Sequence, residues 1–286
     1  MEKSDCMKTC LVLEGGAMRG MYTAAILDSL LDTNIKIDAV IGVSAGALFG
    51  VNYVSKQKGR VLRYNKKYVN DSRYMGIKSL ITTGDIVNKE FAFYELPTKL
   101  DKFDEDEFFK SKTEFYAVVT NIETGKAEYK RIINDSNYVE YLRASGSMPF
   151  VSKPVEINGS KYLDGALGDS IPVLKAKEMG FDRIIVVLTR PIDYRKKKSN
   201  KTLSKLFYRK YPKLINAINN RYKVYNDTLD KIIEMENNNE IFVIRPSKTV
   251  NIKRIEKDVD KLQEMYDLGI SDFKKCLTKL KKFLKR

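Results

Sequence analysis

Gly42-Val43-Ser44-Ala45-Gly46 holds a serine between two glycines, after an apolar β-rich run and ahead of a helical pattern. That context suits a tight strand-to-helix turn, which lifts a hydroxyl clear of the backbone for nucleophilic attack. Small neighbours such as Gly42 and Gly46 let the main chain turn without clashes, and the helix behind Ser44 aims its positive dipole end at developing negative charge. A nucleophilic serine needs a proton acceptor, and the chain contains no histidine. A Ser-His-Asp triad is therefore excluded, which leaves a lysine or a carboxylate as the base.

Glu14-Gly15-Gly16-Ala17-Met18-Arg19-Gly20 lies between a strand-like run and a helical one. Glycines there bring backbone N–H groups toward an anion at a helix N-terminus. Two nucleotide-binding readings fail. A P-loop needs Lys-Ser/Thr after its last glycine, where this chain has Met21-Tyr22, and a dinucleotide loop needs glycine where Ala17 stands. Beside a reactive serine, the same loop can serve as an oxyanion hole. A third motif, Leu163-Asp164-Gly165-Ala166, follows the hairpin signal Asn158-Gly159. Alone it reads as an Asx-turn, but an Asp at a strand end followed by two small residues can also approach another loop closely.

Taken in this order, the three motifs resemble patatin-like phospholipases, whose signature is a G-G-G-x-R/K-G oxyanion loop, a G-x-S-x-G elbow and a later D-G-A/G. The Ala144-Ser145-Gly146-Ser147-Met148-Pro149 block agrees with that family. The resemblance covers about residues 9–190 and extends through residues 114–125 and 183–191 to a compact bacterial-type subgroup. It implies a Ser44–Asp164 dyad that works without histidine, on an elbow flanked by Gly42 and Gly46 and with Gly165 and Ala166 in the dyad loop. It also implies an oxyanion hole from the N–H groups of Gly15, Gly16, Ala17 and Arg19. Arg19 reads equally as a loop-bracing side chain. Ala17 departs from the third glycine of the signature, and its N–H serves as long as its φ is negative. An ordinary aspartate, with a pKa near ~3.9, is a poor base for serine, so burial must raise Asp164. The expected activity is hydrolysis of lipid esters, as in a phospholipase A or lysophospholipase, with no cofactor and no metal. The same dyad could also serve a thioesterase or an acyltransferase.

These residues need a frame of strands that ends near them. Buried-strand runs at residues 10–13, 38–43, 183–188 and 241–244 alternate with helical patterns at 20–31, 45–53 and 172–179. Residues 115–120 and 128–133 bracket a hairpin at Thr124-Gly125; residues 155–157 and 161–163 bracket a type I′ turn at Asn158-Gly159. Strands alternating with helices predict an α/β fold, a three-layer α/β/α sandwich with a mostly parallel central sheet. The 286 residues, 43% hydrophobic, suffice for one such domain spanning 1–286, with a basic helical part at 191–286.

Charge points to the partner. Residues 1–190 carry 27 Lys/Arg against 25 Asp/Glu, while residues 191–286 carry 25 against 12. Within that third, residues 195–225 hold eleven cations and no acid, interleaved with aromatics, and residues 273–286 hold seven. In the tail, Phe273, Cys276, Leu277, Leu280 and Leu284 recur at helical spacing beside a cationic face. Such a surface suits an anionic partner, membrane or nucleic acid, or a plain solvated face; with the lipid substrates that the resemblance implies, attachment to an anionic membrane surface is expected. The rival is a non-catalytic basic scaffold on nucleic acid, with the aromatics of 195–225 stacking on bases, although no nucleic-acid motif is present. Cys6, Cys10 and Cys276 read as free thiols in a reducing compartment. With no signal-peptide pattern and no membrane-spanning run, the expected location is the cytoplasm or the inner membrane face.

Overall fold

The computed structural model describes residues 7–198 and 200–286; Cys6 lies outside them. Its strands are β1 (Thr9–Leu13), β2 (Ala39–Val43), β3 (Glu114–Asn121), β4 (Ala127–Arg131), β5 (Val155–Ile157), β6 (Ser160–Asp164), β7 (Arg183–Val187) and β8 (Ile241–Ile244). They form one sheet in the order β5-β6-β3-β2-β1-β7-β8, with β4 also paired to β3. The run from β3 through β2, β1 and β7 to β8 is parallel; β4, β5 and β6 join antiparallel. The β5–β6 turn has φ of 50° at Asn158 and 77° at Gly159, as a type I′ turn requires.

Both faces of the parallel strands are apolar because both are covered. Along β1, Leu11 and Leu13 enter one core and Cys10 and Val12 the other; β7 divides Ile185 and Val187 from Ile184 and Val186 in the same way. The helices are α1 (Met21–Leu31), α2 (Ala45–Val54), α3 (Arg60–Tyr68), α4 (Ile77–Thr83), α5 (Glu105–Lys110), α6 (Tyr138–Gly146), α7 (Val173–Glu178), α8 (Lys201–Tyr208), α9 (Pro212–Asn237) and α10 (Val259–Phe283). Helices α1, α2, α3 and α10 contribute to the first core, and α7 and α9 to the second. The result is the three-layer sandwich expected from the sequence. A wide π-helical stretch, Glu90–Leu100, contains Pro97, whose missing N–H spares one backbone bond.

The C-terminal stripe goes to the core, not to a membrane. Phe273 is 3% exposed and Leu280 fully buried, with Cys276, Leu277 and Leu284 packed against the same core. The stripe pattern was read correctly, but its partner is helix α1 and the sheet. The basic segment behaves alike: Tyr208 and Tyr225 are buried, which removes them as stacking platforms for bases. Exposed apolar side chains sit elsewhere, among them Leu203, Leu206 and Phe207 on α8 and Ile77 and Ile81 on α4.

Candidate active site

The register of β3 brings the two central residues together. Val43, at the end of β2, pairs with Val118, and the next residue of β3, Val119, pairs with Asp164 at the end of β6. Ser44 follows Val43 directly, so the two side chains are delivered to one spot by successive positions of a single strand.

Ser44 takes φ 54° and ψ −123°, a strained conformation for a residue with a side chain, of the kind concentrated at reactive sites. The turn is so tight that a Cβ at Gly42 would come within 2.6 Å of Ala47 Cα, and one at Gly46 within 2.6 Å of the Leu13 carbonyl oxygen. Ser44 Oγ donates a 2.7 Å hydrogen bond to Asp164 Oδ2, while Asp164 Oδ1 accepts from the Ala166 N–H at 2.9 Å. The Ser44 N–H donates to Ser145 Oγ at 2.9 Å, which ties the elbow to α6. Behind the aspartate, its N–H donates to the Ser147 carbonyl at 2.8 Å and its carbonyl accepts from Thr120 Oγ1 at 2.8 Å.

Asp164 is buried, and that burial raises its pKa above the ordinary carboxylate value; nearby Arg221, the Ala166 N–H, the Ser44 hydroxyl and Arg254 pull the other way. The net direction is upward, toward a more basic carboxylate.

The glycine-rich loop lies against the elbow: a Cβ on Gly15 would stand 2.9 Å from Ser44 Cβ. The N–H groups of Gly15, Gly16 and Ala17 have no hydrogen-bond partner among the described residues, whereas the Arg19 N–H donates to the Gly16 carbonyl at 3.2 Å and the Met18 N–H to the Arg254 carbonyl at 3.3 Å. Arg19 thus closes the loop and does not offer its N–H to an oxyanion. Ala17 has φ 49°, not the negative value expected of it. Glu14 anchors the loop from below. Its Oε2 accepts from the Thr189 N–H at 2.6 Å and from Thr189 Oγ1 at 2.9 Å, and its Oε1 accepts from the Tyr225 hydroxyl at 2.6 Å.

Ser44 and Ala17 border a cavity of about 370 Å³, whose walls include Leu48, Phe49, Phe93, Leu96 and Met148. Apolar walls of this size suit a single small apolar ligand or chain. Met148 belongs to the 144–149 block, and the adjoining Phe150 N–H donates to the Tyr208 hydroxyl of α8 at 3.0 Å. Ser44, Asp164 and the glycine-rich loop, singled out from the sequence, lie together in the structure. Sequence reasoning missed Thr189, Tyr225, Arg221 and Arg254 as site residues; the one signal near them was the acid-free run at 195–225, which contains Arg221 and Tyr225.

Comparison with known proteins follows this geometry. The patatin-like phospholipase family profile matches residues 11–177, and a domain of unknown function (DUF6363) matches residues 211–285. The chain is 25% identical over 270 residues to the uncharacterised protein YjjU of Escherichia coli (strain K12), an alignment that covers 92% of this chain and 75% of YjjU. It is 30% identical over 189 residues to lysophospholipase nte1 of Aspergillus oryzae, covering 64% of this chain but only 12% of that longer protein. Superposition on the crystal structure of VipD from Legionella pneumophila covers 91% of this chain and 67% of that one, with a TM-score of 0.38 and 12% identity.

Proposed function

The chain belongs to the patatin-like phospholipase family, and from that premise we propose that it is a serine acyl hydrolase acting on lipid esters through a Ser44–Asp164 dyad, as a phospholipase A or lysophospholipase. The observation that carries the reading is the 2.7 Å bond from Ser44 Oγ to a buried carboxylate in a chain without histidine.

Ser44 Oγ attacks the ester carbonyl and its proton passes to Asp164 Oδ2. The N–H groups of Gly15 and Gly16, unused within the loop, hold the oxyanion; the Ala17 N–H is also unused, but its positive φ fails the condition set for it. Collapse of the tetrahedral intermediate expels the alcohol, which takes the proton from Asp164. Water then attacks the acyl-serine with Asp164 accepting its proton, and collapse releases the free fatty acid as Ser44 Oγ takes that proton back. The cavity beside Ser44 takes the acyl chain between its apolar walls.

Attachment to an anionic bilayer rests on α8. Leu206 is 72% exposed and Phe207 54%, and Lys201, Lys205, Arg209 and Lys210 lie on or next to the same helix. That pairing of apolar and cationic side chains fits an interfacial helix, and α8 packs on Phe150, two residues beyond the cavity-lining Met148. No helix among the described residues is long and apolar enough to cross a membrane.

A serine-directed phosphonate probe and an ester assay test the catalytic reading together. The probe is expected to label the wild type and not Ser44→Ala, and Asp164→Asn is expected to lose about 10²–10⁴-fold in turnover, the range of a lost general base. Wild-type turnover in a folded Asp164→Asn protein would remove the dyad.

A further inference from the structure

Five cations from four separate parts of the chain gather beside the glycine-rich loop, and two of them, Arg221 and Arg254, also act on Asp164. Arg19 comes from the glycine-rich loop, Arg190 and Lys196 from the segment after β7, Arg221 from α9, and Arg254 from the loop before α10. None of the five has a carboxylate within salt-bridge distance among the described residues, although their neighbours Arg195 and Arg245 are paired with Asp230 and Glu236. Their contacts are weak ones. Arg190 lies over the Tyr194 ring at 4.6 Å, Lys196 over the Tyr225 ring at 4.4 Å, and Arg221 Nε donates to Ser170 Oγ at 3.3 Å. Arg19 Nε is buried with no partner among the described residues. The acids that act on them are already engaged, Glu14 with Thr189 and Tyr225 and Asp164 with Ser44.

We propose that these cations form an anion subsite that receives the phosphate of the substrate's headgroup, so that the substrate is a monoacyl lipid bearing a phosphomonoester. This rests on the hydrolase reading above. Arg254 lines the same cavity as Ser44 and Ala17, which places positive charge beside the reacting carbonyl while the acyl chain runs between apolar walls. Guanidinium forks match phosphate oxygens in pairs, and a dianion answers more of the unpaired charge than a zwitterionic head would. Without an anion the cluster is held against its own repulsion. Burial, Arg221, Arg254 and Arg19 bring Lys196 down to about 7 against the pull of Glu14, and burial with Arg190 and Arg254 brings Arg19 down to about 10.

The test compares 1-acylglycerol 3-phosphate with the monoacylglycerol of the same chain at fixed ionic strength and pH. The wild type is expected to prefer the phosphate ester in kcat/KM by at least about tenfold, the worth of one charge-assisted hydrogen bond. Arg221→Gln and Arg254→Gln are each expected to cut that preference about tenfold, with Arg221→Lys restoring part of it. Inorganic phosphate should raise KM for the phosphate ester, and should raise the wild-type melting temperature above that in chloride but not that of the Arg221→Gln/Arg254→Gln double variant. Equal use of the two esters by the wild type, or an unchanged preference in the double variant, would overturn the proposal. So would inorganic phosphate altering monoacylglycerol turnover without any substrate preference, which would make the cluster an effector site for free phosphate. Melting needs no turnover. Phosphate stabilisation in a protein whose Ser44 is not labelled would therefore remove the hydrolase reading and leave an anion site of another use.

Discussion

Ala17 stands where the family signature has its third glycine, yet the chain bends there with φ 49°. A side chain in that region costs about 1–2 kcal/mol relative to the right-handed one, and the loop holds it because Glu14 is fixed on one side and Arg19 closes on the other. Ala17→Gly should therefore stabilise the protein by about 1 kcal/mol, seen as a higher denaturant midpoint with unchanged slope; a lower midpoint would mean that the methyl group earns its place through packing. The dyad carries its own titration signature. Asp164 must be ionised to accept a proton, so turnover of a neutral short-chain ester should fall as pH drops through its pKa, which burial sets above the ordinary 3.8. Arg221 opposes that rise, so Arg221→Gln should move the acid limb of the profile to higher pH, and an unmoved limb would place the titration elsewhere. Ser44 and Asp164 were legible because each sits in a short motif whose neighbours are sterically dictated. Thr189 and Tyr225 were not, because they reach Glu14 from 175 and 211 residues away and nothing local marks a hydroxyl for that purpose.

Among the elements, the strands were the legible part. Residues buried on both faces leave an unbroken apolar run, and β1, β2, β7 and β8 match those runs to within one or two residues. Helices α3 to α6 and the π-helical stretch were not read, being mostly short and rich in charged and aromatic residues; yet Glu90–Leu100 and α6 supply much of the cavity wall. Helix α10 shows the opposite failure, a clear stripe given the wrong partner. An amphipathic helix looks the same whether its apolar face meets a bilayer or a neighbouring helix, and only the tertiary fold decides. Leu280 is fully buried, so Leu280→Ala should cost about 2–5 kcal/mol of stability and leave vesicle binding per folded molecule unchanged. Loss of binding without loss of stability would return α10 to the membrane.

At the scale of the whole molecule, the excess charge of the C-terminal third has two destinations. Part-buried Arg221 and exposed Arg254 act on the dyad aspartate, while Lys201, Lys205, Arg209 and Lys210 stay at or beside the exposed apolar face of α8. Binding to anionic vesicles should therefore weaken as salt shortens the Debye length from ~10 Å at ~0.1 M to ~3 Å at ~1 M, each basic group near the surface having contributed about 1 kcal/mol. Phe207→Ser with Leu206→Ser should weaken it at every salt concentration, and equal binding to neutral vesicles would assign α8 another partner. Soluble-ester turnover should change little across the same series. The adjacency of Val118 and Val119 has a broader meaning. Nucleophile and base hang from strands docked on the two sides of β3 at its consecutive residues Val118 and Val119, so their separation is set by the sheet itself. Breathing of the surface helices can open or shut the cavity without altering that spacing. Such a site cannot wear out gradually on heating: it keeps its geometry until the sheet itself comes apart, and then loses it in one step.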